Sequence, residues 1–154
     1  MKIVKITLMV VLLSGLYACS DNRCLLDTDT LLNVEMSISD PSTPEEFIDS
    51  LSVFSPEWSD SIFYKNKGNN NSLRLMLSPA KDTSTFIFTS NLVEGSDTLT
   101  FFYQRDFTLL SVECGFVTHY TIDSILYTQN YIDSLSLVNN SITTNDEGLV
   151  KIYF

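Results

Sequence analysis

Apolar and polar residues alternate with a period of two along most of the chain. Leu32, Val34, Met36 and Ile38 alternate with Asn33, Glu35 and Ser37, the pattern of a strand with one buried face. The alternation recurs at residues 51–53, 73–77, 86–88, 99–103, 116–120, 125–127, 135–137 and 150–154. Turn-forming clusters separate these runs: Asp40-Pro41-Ser42, Gly68-Asn69-Asn70-Asn71, Ser78-Pro79, Glu94-Gly95-Ser96 and Asn145-Asp146-Glu147-Gly148. About eight to ten short strands at intervals of roughly a dozen residues predict an all-β fold, a two-sheet β-sandwich, with an immunoglobulin-like topology as one arrangement that fits. Phe86, Phe88, Phe101, Tyr103 and Phe116 are the expected aromatic core. Thr43-Pro44-Glu45-Glu46 has capping-box spacing with Pro at the first helical position. The stretch to Asp49 is only about two turns long, so it reads as a loop with at most one helical turn.

The N-terminus follows a different pattern. Lys2 and Lys5 precede an apolar run from Ile6 to Leu13 that extends to Leu16. The run falls short of the ~20 residues a membrane-spanning helix needs and has the form of a signal peptide. It ends in Leu16-Tyr17-Ala18-Cys19, which resembles a bacterial lipobox, although Tyr17 stands where a small residue is usual. The expectation is cleavage between Ala18 and Cys19, with diacylglycerol on the Cys19 sulfur and an acyl chain on its amine. About three chains would then sit in one leaflet, enough for stable anchoring where a single chain holds only marginally. The alternative is an ordinary secretory peptide with Cys19 left as a free thiol. Ser20 is not the aspartate that retains enterobacterial lipoproteins at the inner membrane, so the outer membrane is the expected destination, on its periplasmic face or at the cell surface. The chain then divides into a signal peptide (residues 1–18), a lipidated tether (19–27) and a β-sandwich domain (28–154).

Charge and cysteines narrow the partners. The 154 residues carry 19 acidic and 9 basic side chains, for a formal charge of −10, and loss of Lys2 and Lys5 on cleavage takes this to −12. Such a surface repels phosphate backbones and anionic head groups, which disfavours nucleic acid and leaves the lipid on Cys19 as the membrane contact. Cys24 and Cys114 remain after Cys19 is used. An even pair in an exported protein points to a disulfide, the alternative being two separate thiols. The absence of Cys-x-x-Cys argues against a redox role.

An Asp, then Ser or Thr, then an apolar residue recurs at Asp49, Asp60, Asp97, Asp123 and Asp133, and residues 122–130 nearly duplicate 132–140. Turn chemistry, with the carboxylates accepting nearby backbone N–H groups as strands begin, is the stronger reading over cation binding, because no segment resembles a calcium loop. One histidine and three cysteines are too few for a His-rich or Cys-rich metal site. No metal or cofactor is expected. His119 lies in strand alternation with no nucleophile elbow and reads as structural. The 19 carboxylates leave open a small envelope hydrolase using a carboxylate pair. The favoured expectation is a non-enzymatic binding or accessory module, its partner an outer-membrane or envelope protein or a glycan. Trp58, between two strands, is the first candidate for ligand contact, with Tyr64 and Phe102 behind it. Val150, Ile152 and Phe154 alternate up to a terminal aromatic, as in the closing strand of outer-membrane barrels. Barrel strands run to about 9–11 residues, however, and most strands predicted here to roughly five to seven, so the ending reads as the last sandwich strand.

The lipobox, the segment from Cys24 to Leu31, the Asp-Ser-Leu strand at 49–51, Thr98 to Tyr103, Glu113-Cys114-Gly115-Phe116, the duplicated Ile-Asp-Ser pair and Val150 to Phe154 follow one another in an order that resembles a family of small, uncharacterised Bacteroidota lipoproteins with a domain of unknown function. The resemblance runs over nearly the whole chain. It implies localisation and carries over no catalytic residues.

Overall fold

The computed structural model describes Cys24, residues 26–39, Ile48, and residues 50–58, 71–145 and 148–154, with the backbone alone for 62–65. Every second side chain of β1 (Leu31–Ser37), namely Leu32, Val34 and Met36, is buried while Asn33 and Glu35 face outward. β2 (Leu51–Phe54), β3 (Ile62–Lys65), β4 (Ser72–Met76), β5 (Thr83–Ser90), β6 (Asp97–Ser111), β7 (Gly115–Tyr127), β8 (Ser134–Asn139), β9 (Ser141–Ile142) and β10 (Leu149–Tyr153) complete the described strands. They form a four-stranded sheet ordered β4-β1-β10-β8 and a six-stranded sheet ordered β3-β2-β5-β6-β7-β9. Among the described strands all pairings are antiparallel except β1 with β10.

The two sheets pack face to face as a β-sandwich, as the alternation predicts. The topology is not immunoglobulin-like. Immunoglobulin domains place their first strand at a sheet edge, whereas β1 lies inside its sheet, between β4 and β10. β10 is internal too, with Phe154 buried and its N–H bonded to the Ser37 carbonyl at 2.9 Å. The terminal aromatic therefore closes a sandwich. The segment around Thr43 to Asp49 lies outside the described residues, apart from Ile48, which is buried.

The core is built from both sheets: Leu32, Val34, Val150 and Ile152 from one, and Val53, Phe86, Phe88, Leu99 and Phe101 from the other. Phe86 meets Phe101 edge to face, ring centroids 5.9 Å apart. Each such ring stabilises the fold by roughly 1.5–3 kcal/mol through burial, with edge-to-face packing adding a little more.

The longest strands depart from expectation. β6 has 15 residues and β7 has 13; the second covers two runs that read as separate strands in the sequence. The polar triplet Gln104-Arg105-Asp106 interrupts apolar alternation without interrupting backbone pairing, which continues to Ser111 opposite Gly115. Gly115 has φ +72° at the hairpin turn, a conformation that favours glycine, and Ser111 Oγ accepts the Cys114 N–H at 3.0 Å. Cys114 in this turn is bonded to Cys24, Cα atoms 4.7 Å apart. A link across a 90-residue separation stabilises by about 4 kcal/mol in the loop-entropy model.

At the opposite end of β6, Asp97 is fully buried. One carboxylate oxygen accepts the Thr128 hydroxyl at 2.6 Å and the Asn130 N–H at 2.9 Å. The other accepts the Tyr131 N–H at 2.6 Å and the Ile132 N–H at 2.9 Å. Three successive backbone donors and a hydroxyl thus surround a single carboxylate, a nest that holds the β7–β8 connection against the start of β6. This is the structural role expected of the recurring aspartates, but the donors come from more than 30 residues away rather than from the same turn. Gly95 (φ +111°) belongs to the same clasp: a Cβ there would lie 2.7 Å from the Tyr131 hydroxyl, which donates to the Glu94 carbonyl. Asp123 departs from that expectation: it lies within β7 rather than at a turn and accepts from Gln104 Nε2, while Asp133, just before β8, accepts from Ser39 Oγ, both exposed side-chain bonds.

Replacing Asp97 leaves buried donors with no acceptor. Asp97→Ala is expected to lower unfolding stability by about 3 kcal/mol, and Asp97→Asn by roughly 2 kcal/mol because an amide presents hydrogens to some of the same donors. Urea midpoints at unchanged m would measure both.

A cleft beside Trp58

Four segments distant in sequence meet at one end of the sandwich, next to the root of the β6–β7 hairpin. Residues 28–31 enter β1 there, Trp58 follows β2, Met76 ends β4 with Leu77 and Pro79 just after it, and Phe116, Val117, Thr118 and Tyr120 come from β7. Together they line a cleft of about 230 Å³. Trp58 is fixed by a turn in which its N–H donates to the Ser55 carbonyl at 3.1 Å. Ser55 is buried, and its hydroxyl accepts the Glu57 N–H at 3.3 Å. Glu57 Oε1 pairs with Lys81 Nζ at 3.2 Å, tying this turn to the loop between β4 and β5.

A buried tyrosine pair lies behind the cleft. Tyr120, itself part of the lining, meets Tyr103 edge to face with centroids 5.2 Å apart. The Tyr120 hydroxyl donates to the Leu77 carbonyl at 3.3 Å, and the Tyr103 hydroxyl donates to the Ser78 carbonyl at 3.1 Å while lying 2.8 Å from Ser84 Oγ. The Ser78 N–H donates to Ser84 Oγ at 2.8 Å. These bonds anchor the Leu77-Ser78-Pro79 wall on the sheet beneath it. Arg105 holds the same loop from the hairpin, with Nε 2.6 Å from Asp82 Oδ1 and a guanidinium N–H donated to the Pro79 carbonyl at 2.8 Å. The Leu77-Ser78-Pro79 wall is thus bonded both to the sheet behind it and to the hairpin beside it.

Trp58, the first candidate for ligand contact in the sequence, lines this cleft. Phe102 is not among the lining residues: it is half-buried on β6, its backbone opposite Thr83 and Ser124. The Tyr64 side chain lies outside the described residues, as do Ala18 and Cys19. Phe116, expected in the core, is instead exposed at the mouth of the cleft. Asp29, Thr30, Thr118 and Tyr120 were not foreseen as site residues. Their distant segments meet only once β1, β4 and β7 have packed.

Chemically the lining is amphipathic. The rings of Trp58, Phe116 and Tyr120 offer flat apolar faces, and Asp29, Thr28, Thr30 and Thr118 offer a carboxylate and hydroxyls. Asp29 is the one carboxylate among the described lining residues, so no carboxylate pair converges there. His119 is not in the lining; its Nδ1 lies 3.4 Å from Thr108 Oγ1. Among the described residues no cluster of three or more His, Cys, Asp or Glu side chains could hold a metal ion.

Burial raises the Tyr120 phenol above its ordinary value of 10.0, with the neighbouring Tyr103 acting in the same direction and the Thr30 hydrogen bond against it. Burial likewise raises Tyr103 above 10.0, opposed by its bonds to Ser84 and Ser78. The folded state therefore keeps protons that the unfolded chain releases. Stability is fully present below pH 10 and falls as pH rises through 10 towards the folded values. Tyr120→Phe is expected to lower stability at pH 7 by about 1 kcal/mol through the lost hydrogen bond and to flatten the alkaline decline. Denaturant midpoints between pH 8 and pH 11 would show both effects.

No curated protein and no solved structure matches the chain. A family model described as a family of unknown function, DUF6452, matches residues 50–154. That span takes in β2 to β10 with Trp58 and Cys114, and leaves out β1 and Cys24. With more than two thirds of its length matched, the chain belongs to this family of unknown function.

Proposed function

We propose that the protein is a lipid-anchored, non-enzymatic binding module of the cell envelope that takes a saccharide in the cleft beside Trp58. The anchor rests on the lysines, apolar run and Leu16-Tyr17-Ala18-Cys19 of the N-terminus, and the resemblance to small Bacteroidota lipoproteins points the same way. Ser20, in place of an inner-membrane retention aspartate, supports release to the outer membrane. After cleavage the acidic body stays soluble and away from anionic head groups, leaving the acyl chains to hold it.

The observation that carries the binding reading is the composition of the cleft. Sugar rings have apolar C–H faces and a polar hydroxyl edge. A ring lying against Trp58 would match the first to an indole face, and Asp29, Thr30 and Thr118 could receive and donate hydrogen bonds along the second. A volume of about 230 Å³ is below the ~300–1,000 Å³ of pockets that enclose drug-sized ligands. It suits one ring of a longer glycan whose remainder lies outside.

A glycan array probed with the mature lipoprotein in detergent, followed by calorimetry on the sugars retained, tests this reading. A saccharide should bind, and Trp58→Ala should weaken it at least about tenfold, since aromatic anchors dominate such sites. An array without binders, or affinity indifferent to Trp58→Ala, would overturn it.

A further inference from the structure

The β6–β7 hairpin is longer than the core it serves. Within it, Arg105 lies opposite Tyr120, Phe107 opposite Thr118, and Leu109 opposite Phe116. Because strand side chains alternate, these residues share the face that carries Tyr103 and Ile122 into the core. Past Tyr120 the other sheet no longer covers that face. Phe107, Leu109 and Phe116 are 57%, 54% and 72% exposed, and Val112 at the turn is 91% exposed. Four large apolar side chains so placed are an interaction surface rather than scattered exposure.

The disulfide indicates what covers them. It joins the hairpin turn at Cys114 to Cys24, and only five peptide steps separate Cys24 from Cys19. Fully extended, those steps span at most about 18 Å, little more than half of a ~30 Å hydrocarbon core. If Cys19 carries lipid at the membrane surface, the tether and the disulfide hold the hairpin turn within about 20 Å of that surface.

We infer that the overhanging β6–β7 hairpin seats Phe107, Leu109, Val112 and Phe116 in the interfacial layer of the bilayer that holds the Cys19 acyl chains, so that the domain stands on the membrane by this tip. The inference rests on the lipid-anchor reading. Glu113 in the turn is exposed and keeps insertion shallow, its carboxylate at head-group depth. With a mature body of charge −12, contact comes from apolar burial and not from attraction to anionic lipid, so zwitterionic vesicles are the appropriate surface.

The test uses mature lipoprotein carrying Trp58→Phe together with Val112→Trp, reconstituted into phosphatidylcholine vesicles brominated on the upper acyl carbons. The introduced indole should shift to the blue and lose roughly half of its emission relative to unbrominated vesicles. In the same background, Leu92→Trp, at the far end of β6 and roughly 45 Å away along the strand, should keep its emission. Val112→Trp emission unchanged by bromine while the protein still floats with the vesicles would overturn the hairpin's role and leave the anchor standing. A blue shift without quenching would also overturn it, by assigning the tip to a protein contact. Failure to float would remove the anchor reading, and this inference with it.

Discussion

Period-two burial between two sheets holds this domain together, and it fixes how far each strand can run before its inner face has nothing to cover it. Phe86, Phe88, Leu99 and Phe101 lie where the sheets overlap and are fully shielded. Along β6 the same face passes from Tyr103, buried, to Arg105, half-buried, and then to Phe107 and Leu109, exposed. Backbone pairing between β6 and β7 does not need the core, because the two strands satisfy each other's N–H and C=O groups. The hairpin therefore continues as a two-stranded arm, a form that is only marginally stable unsupported. The Cys24–Cys114 bond and the Arg105 contacts to Asp82 and Pro79 give that arm its support.

From this follows the position of the cleft. Its floor is the last part of β7 still inside the sandwich, at Tyr120, and its mouth is the first part outside, at Phe116. The segment leaving Cys24 forms one wall on its way into β1, and the Trp58 turn forms another. The same arm that would touch lipid thus borders the binding site, and both lie within a few residues of the point where the tether meets the domain. On the lipid-anchor reading, such an arrangement would hold the cleft close to the bilayer surface rather than on a freely swinging tether.

Much of the fold was legible because alternation reports a strand's faces directly. Leu32, Val34, Met36, Leu73, Leu75, Val150 and Ile152 all point inward as their spacing requires. The even pair of cysteines left after Cys19 was enough to expect their bond. Alternation says which side chains share a face but not where the opposing sheet ends, which is why Phe116 read as core. β3, with Ile62-Phe63-Tyr64 in a row, carries no alternation, and β9 at two residues is too short to show any. Asp97 announced turn chemistry, but its partners at residues 128–132 could be known only from the packed structure. The cleft was least legible, since Trp58 alone stood out and the rest of its lining is drawn from three other regions of the chain.

The account depends most on Cys19 being the lipidated first residue of the mature protein, because orientation, tether length and the role of the hairpin are all measured from it. Intact-mass spectrometry of the protein extracted from its native membranes tests that directly. The expected product lacks residues 1–18 and carries a diacylglyceryl group on the Cys19 sulfur with an acyl chain on its amine. A chain that retains residues 1–18, or one that begins at Cys19 with an unmodified thiol, would contradict it.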